Sequence, residues 1–137
     1  MEATINTTAQ QGDSAVVLNN STINIPTEVR SQIATKAAEL KVRCNVKKVF
    51  VVIVEGDVTE GEKPLYIAYL RRPNMMQFSQ YMNFIQKDMV IANQQLAQNI
   101  FLDGDKELID DEDLFLYGTM PQLNHIIDAR NSDIVKR

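Results

Sequence analysis

The sequence predicts an α+β domain, made of an N-terminal helix, an antiparallel β-hairpin and then several C-terminal helices. Three features of the chain point to it. Val29, Ile33, Ala37 and Leu40 form an apolar stripe at helical spacing ahead of any β-rich run. Two short β-rich runs, Val49–Val54 and Leu65–Leu70, flank a loop that carries Gly56 and Gly61. Beyond them the apolar spacing is helical, and strands grouped apart from helices argue for α+β rather than an alternating pattern.

In chain order, residues 1–24 are rich in Thr, Asn, Gln and Ser, with a brief apolar patch at Ala15–Leu18. They are expected to be a flexible polar arm, which can also order on a partner. Residues 25–137 are expected to be one α+β domain. Its first helix spans 27–43, with Pro26 and Thr27 as starters and Glu28 in the first turn, where the helix dipole favours a negative charge. Val49–Val54, β-branched and aromatic, reads as a buried strand, and Leu65–Leu70 as its hairpin partner, ended by Pro73. Asn74 is a fitting cap for a helix beginning at Met75. Phe78, Met82, Ile85, Met89, Ala92, Leu96 and Ile100 keep a nearly unbroken 4-3-4-3 spacing. Continuity of the stripe favours one helix over about 75–102; its length and the capping residue Asp88 in mid-run favour two, which is the preferred reading. Asp103-Gly104-Asp105 stops that stretch, Asp110–Tyr117 is a short helical candidate ended by Gly118, and Pro121 starts a last helix carrying Leu123, Ile126 and Ile127.

Composition bounds the function. A chain of 137 residues with 45% hydrophobic and 23% charged residues resembles an ordinary globular domain and argues against wholesale disorder. The net charge of −4 speaks against a protein built to coat nucleic acid. Residues 101–137 hold nine acids against four bases, a net of −5, so the first hundred residues are about +1 and leave room for a local cationic patch. Cys44 is the single cysteine, so no internal disulfide is available, which suits a reducing compartment. The N-terminal residues lack the basic and apolar regions of a signal peptide, and the longest apolar run, Val49–Val54, is too short to span a bilayer. A cytoplasmic protein, or part of a particle assembled in a cytoplasm, is expected, with no membrane partner.

No pattern of residues carries chemistry. The acidic run Asp103–Asp113 fails as an EF-hand loop, because its sixth position is Leu108 where that loop requires glycine. Leu108 and Ile109 are expected to point into the core, and the acids to lie on a solvated loop and helix start. His125, the only histidine, has no Cys or His neighbour to complete a metal site, and Cys44 has no base in sequence reach. The five glycines never cluster, so no phosphate-cradling loop of the GxGxxG or Walker type is present. The protein is expected not to be an enzyme and to use no cofactor or metal.

Two groups of residues remain as candidate surfaces. The first is the methionine-rich stretch with Met75, Met76, Phe78, Tyr81, Met82 and Phe84, where apolar residues occupy more than one helical face. One face is expected to enter the core, leaving the others to meet a protein partner, a use to which methionine's adaptable shape is suited. The second is basic. Lys41, Arg43, Lys47 and Lys48 precede the first strand, and Arg71 and Arg72 come after the second, so an antiparallel hairpin would gather them at one end. The expected rim is Lys47, Lys48, Arg71 and Arg72, solvated or set against an acidic protein surface. Tyr66 and Tyr69 fall on opposite faces of their strand and make no stacking platform, so no nucleic-acid partner is expected.

From Tyr69–Asn74 (YLRRPN), through Leu96–Asp105 (LAQNIFLDGD) and the acids Asp110–Asp113, to Ile126–Arg130 (IIDAR), the chain resembles small phage proteins of the tail-assembly-chaperone-like kind. The resemblance covers roughly Lys47–Arg130 and leaves the N-terminal segment outside it. It implies a non-enzymatic protein that binds a long apolar tail component in the host cytoplasm before assembly. Two other roles compete. One is a structural virion or scaffold subunit that docks through its N-terminal arm. The other is an acidic inhibitor or adaptor. In any of these roles the expected partner is a protein, with self-association into homo-oligomers left open.

Overall fold

The computed structural model describes the backbone of residues 15–18 and all of residues 25–127. Its centre is the strand β2 (Val49–Glu55). Val49, Val51 and Ile53 are buried on one face of the sheet and Phe50 and Val52 on the other. A strand apolar on both faces needs a cover on each, and the rest of the chain supplies the two covers. β3 (Leu65–Arg71) pairs with β2 antiparallel over its whole length, with Val49 opposite Arg71 and Glu55 opposite Leu65. The fold class is therefore α+β, with the hairpin where the sequence puts it. The connecting loop holds a 3-10 turn (Val58–Glu60), in which the Asp57 carboxylate accepts from the Thr59 N–H.

Two strands unforeseen in the sequence extend the hairpin. β4 (Phe101–Gly104) pairs antiparallel with β3, and β1 (Ala15–Leu18) pairs parallel with β2, giving the order β1-β2-β3-β4. β1 comes from the segment expected to be an arm; the rest of residues 1–24 lies outside the described residues. β4 occupies the stretch read as helix end and stop, because four residues carry too little pattern to announce a strand whose partner lies over thirty residues away.

α1 (Thr27–Arg43) covers one face. Ile33, Ala37 and Leu40 pack with Val49, Val51, Ile53 and Tyr69. α2 (Met75–Ile85) and α3 (Met89–Ile100) belong to the other cover, and the chain breaks between them. Asn74 and Gln77 form a full capping box at the start of α2, and the Asp88 side chain accepts from the Ile91 N–H at the start of α3. Ala92, Leu96, Ala97 and Ile100 reach Phe50, Val52, Tyr66, Ala68 and Leu70. The two tyrosines of β3 thus serve opposite cores, as their odd spacing requires.

The C-terminal part differs from its sequence reading. α4 (Glu107–Asp110) and α5 (Glu112–Leu114) lead through a π-helical turn (Phe115–Thr119) straight into α6 (Met120–Ile127). Gly118 does not end a helix here. It lets the turn lie against β2, since a Cβ added to it would come within 2.9 Å of both Val54 methyl carbons. Pro121 is the second residue of α6, immediately after the π-helical turn, so it does not begin a separate helix. Leu108 and Ile109 are in the core as expected.

The layers are fastened at β4. Asp103 pairs with Lys36 of α1 at 2.8 Å and with Arg43 at 3.5 Å. The hydrogen bond from Lys36, then that from the Gly104 N–H, hold the Asp103 carboxyl below the usual aspartate range. Gly104 has φ +113, and an added Cβ there would strike the Ile67 carbonyl and the Ala68 Cα. Asp105 accepts from the Ile67 N–H at 2.8 Å and from Lys63 Nζ at 2.6 Å. Burial, then the nearby charges of Asp103 and Asp105, push the Tyr69 hydroxyl up to about 12. Among the described residues, no helix is long and apolar enough to cross a membrane.

Gly104→Ala is expected to lose at least about 2 kcal/mol of stability in urea unfolding, from left-handed strain and the collision with β3 together. Asp103 has a lowered folded pKa, so its contribution is present above the unfolded value of about 3.9 and is lost as pH falls through the folded one. Both ends of the Lys36 pair are over a third exposed, so the effect is small, up to about 1 kcal/mol. Asp103→Asn should flatten the acid limb of a melting-temperature profile below about pH 4 while leaving its shape near neutrality unchanged.

Candidate functional site

Only three residues separate the end of β3 from the start of α2, and its capping box sets its direction. The sheet takes one flank of this helix: Tyr81 is 6% exposed, and Phe84 and Ile85 are half-buried against the core. The side chains left outside are apolar. Met75 is 88%, Met76 67% and Met82 49% exposed, and Phe78 is exposed beside them. Met75, Phe78 and Met82 recur at i, i+3 and i+7, so they share one flank of the helix. Met76 stands about a quarter-turn away. At the corner where α3 begins, Met89, Val90 and Ile91 are also exposed.

Of the six residues named from the sequence, four are surface residues and two are corrected. Tyr81 belongs to the core, where its hydroxyl meets Asn93 Oδ1 at 3.4 Å and burial raises its pKa. Asn93, itself buried, donates to the Met89 carbonyl at 2.8 Å. Phe84 packs inward because it lies on the same flank as Tyr81, three residues on. Val90 and Ile91 were missed as surface residues. Their signal is in the sequence: once Asp88 starts a new helix, both fall off the Ala92–Leu96–Ile100 stripe. Between α2 and α3 the space is only a crevice of about 20 Å³, lined by Gln77, Gln80, Gln95 and Asn99 among others. The apolar surface is thus an exposed helix flank, and α2 and α3 leave no apolar groove between them.

The basic rim also assembles. Two residues past the end of α1, Asn45 lies in the left-handed region (φ 55), and the Val46 N–H bonds back to the Lys41 carbonyl. That reversal delivers Lys47 and Lys48 to the start of β2. Because Val49 pairs with Arg71, the next residue outward on each strand is Lys48 and Arg72. Among the described residues, Val46, Lys47, Lys48, Arg71 and Arg72 line one cleft of about 370 Å³. Lys41 is not among its lining residues, and Arg43 instead turns to Glu39 and Asp103.

The acidic run is distributed over structural tasks. Asp103 and Asp105 fasten β4, and Asp111 accepts from the Leu114 N–H as the cap of α5. Among the described residues, no three His, Cys, Asp or Glu side chains are grouped as a metal ion would need. His125 is exposed on α6, and Cys44 is a half-buried free thiol at the end of α1.

Comparison with protein-family models, with curated proteins and with solved structures finds no match to this chain.

Tyr81 separates packing from surface function. Tyr81→Phe should cost under about 1 kcal/mol, since it gives up one long hydrogen bond. Tyr81→Ala should cost about 3–5 kcal/mol, because it leaves a cavity under α2. Chemical denaturation of the two variants measures both.

Proposed function

We propose that the protein is a non-catalytic binding factor that holds an apolar segment of a protein partner against the exposed flank of α2 and the first turn of α3. The observation that carries this is the set of large apolar side chains left in water there: Met75, Met76, Phe78, Met82, Met89, Val90 and Ile91. Single exposed apolar residues are ordinary, but a concentration of them on two adjoining helix segments marks an interaction surface. Methionine dominates the set, and its flexible, polarisable side chain adapts to varied apolar partners. The acidic C-terminal residues keep such a surface soluble.

The resemblance to tail-assembly-chaperone-like proteins supplies the partner class, an apolar phage tail component held before assembly in the host cytoplasm. A chaperone of this kind is bound to its client during morphogenesis and is absent from the finished particle. A structural subunit would stay in it at fixed stoichiometry.

The test uses Met75→Glu with Met82→Glu. Both positions are exposed, so the melting temperature should stay within about 3 °C of the parent. Capture of a long apolar tail component, co-expressed from the neighbouring genes, should fall at least tenfold. Unchanged capture would remove α2 from the interface, and recovery of the protein from purified particles would replace the chaperone with a structural subunit.

A further inference from the structure

We infer that the cleft between Lys47–Lys48 and Arg71–Arg72 binds a small polyanionic phosphate ligand, a di- or triphosphate group. This site is separate from the apolar flank of α2 and does not depend on the function proposed for it.

Strand register forces the four cations together. Val49 opposite Arg71 places the residue before β2 and the residue after β3 side by side, and the turn at Asn45 adds Lys47. Together they line a cleft of about 370 Å³, in a chain whose net charge is −4. Four of the cations outside the cleft are answered. Lys36, Arg43, Lys63 and Lys106 each have a carboxylate within 4.0 Å. Among the described residues, no carboxylate pairs with Lys47, Lys48, Arg71 or Arg72. Four like charges held in one cleft repel one another, and a multiply charged anion is the ligand that relieves that repulsion.

Both guanidinium groups are set in place before any ligand arrives. Arg71 donates through Nη1 to the Arg72 carbonyl at 2.9 Å and through Nη2 to Gln77 Oε1 at 3.1 Å. A guanidinium has five N–H donors, so those two bonds leave three for an anion. Gln77 is fixed in turn, because its Oε1 also accepts from the Asn74 N–H in the capping box of α2. Arg72 lies over the Phe50 ring at 5.2 Å from the centroid, and Phe50 is buried. Two held forks suit the oxygens of a phosphate, and two exposed lysines add mobile point charges at the rim. Among the described residues, no aromatic side chain lines the cleft, so they offer no stacking surface for a nucleobase and fit the phosphate groups alone.

Isothermal titration of the full chain with sodium tripolyphosphate, at low ionic strength, tests this. Sodium sulfate at matched ionic strength is the control for general salt effects. The parent should bind tripolyphosphate saturably near one per chain, with affinity falling steeply as salt rises. Lys47→Gln with Lys48→Gln alters only exposed side chains and should weaken binding at least tenfold with the circular dichroism spectrum unchanged. Arg72→Ala should do the same, and its melting curve reports any damage to the Phe50 contact. Lys41→Gln with Lys87→Gln, both outside the cleft, should bind as the parent does. Unsaturable binding, or equal loss in the Lys41/Lys87 variant, would overturn the site. Tighter binding of poly-glutamate would overturn the phosphate and assign the cleft to an acidic protein, and affinity that grows with oligonucleotide length would assign it to nucleic acid.

Discussion

The fold depends on β2 being apolar on both faces. Six consecutive residues, Val49–Val54, leave no polar side to turn toward water, so neither face of the strand can be left open. α1 answers one face with Ile33, Ala37 and Leu40, and the helices after β3 answer the other with Leu96, Ile100, Leu108, Phe115 and Leu123. The antiparallel register with β3 then fixes which residues stand at the sheet's ends. At one end it brings Arg71 beside Val49, and this pairing creates the basic cleft. At that same end α2 leaves the sheet, and the capping box formed by Asn74 and Gln77 aims it.

The two surfaces are therefore consequences of one pairing, and they differ in how they are held. In the cleft, each arginine is restrained by a neighbour, Arg71 by Gln77 and Arg72 by Phe50. On α2 the exposed methionines have no such restraint among the described residues. A site with fixed donors suits a ligand of fixed geometry, whereas a flexible apolar flank suits partners of varied shape. Gln77 belongs to both, since it closes the capping box of α2 and holds Arg71.

The acids of the C-terminal part show why a charge run is a poor guide to a site. Read together, Asp103–Asp113 invite a cation. In the fold they separate: Asp103 reaches α1, Asp105 ties β4 to β3, and Asp111 caps a helix. Each of these three carboxylates already has backbone or cationic partners. Gly104 makes this possible by adopting a backbone conformation and a closeness to β3 that a side chain would forbid.

Local physics was legible in the sequence. Helical spacing announced α1, β-branched residues announced the hairpin, and Asp88 divided the methionine-rich stretch into two helices despite its unbroken stripe. The hairpin also made the gathering of Lys47, Lys48, Arg71 and Arg72 readable, because an antiparallel pair sets the start of one strand beside the end of the other. Only the tertiary structure decided the non-local pairings and which flank meets which neighbour. β1 and β4 are four residues each, and their strand character comes from partners far along the chain. Met75 and Met82 are exposed while Tyr81 and Phe84 turn inward, although all four share one apolar helix. Spacing identifies the apolar residues of a helix; the direction in which that helix leaves the sheet decides which of them are left for water.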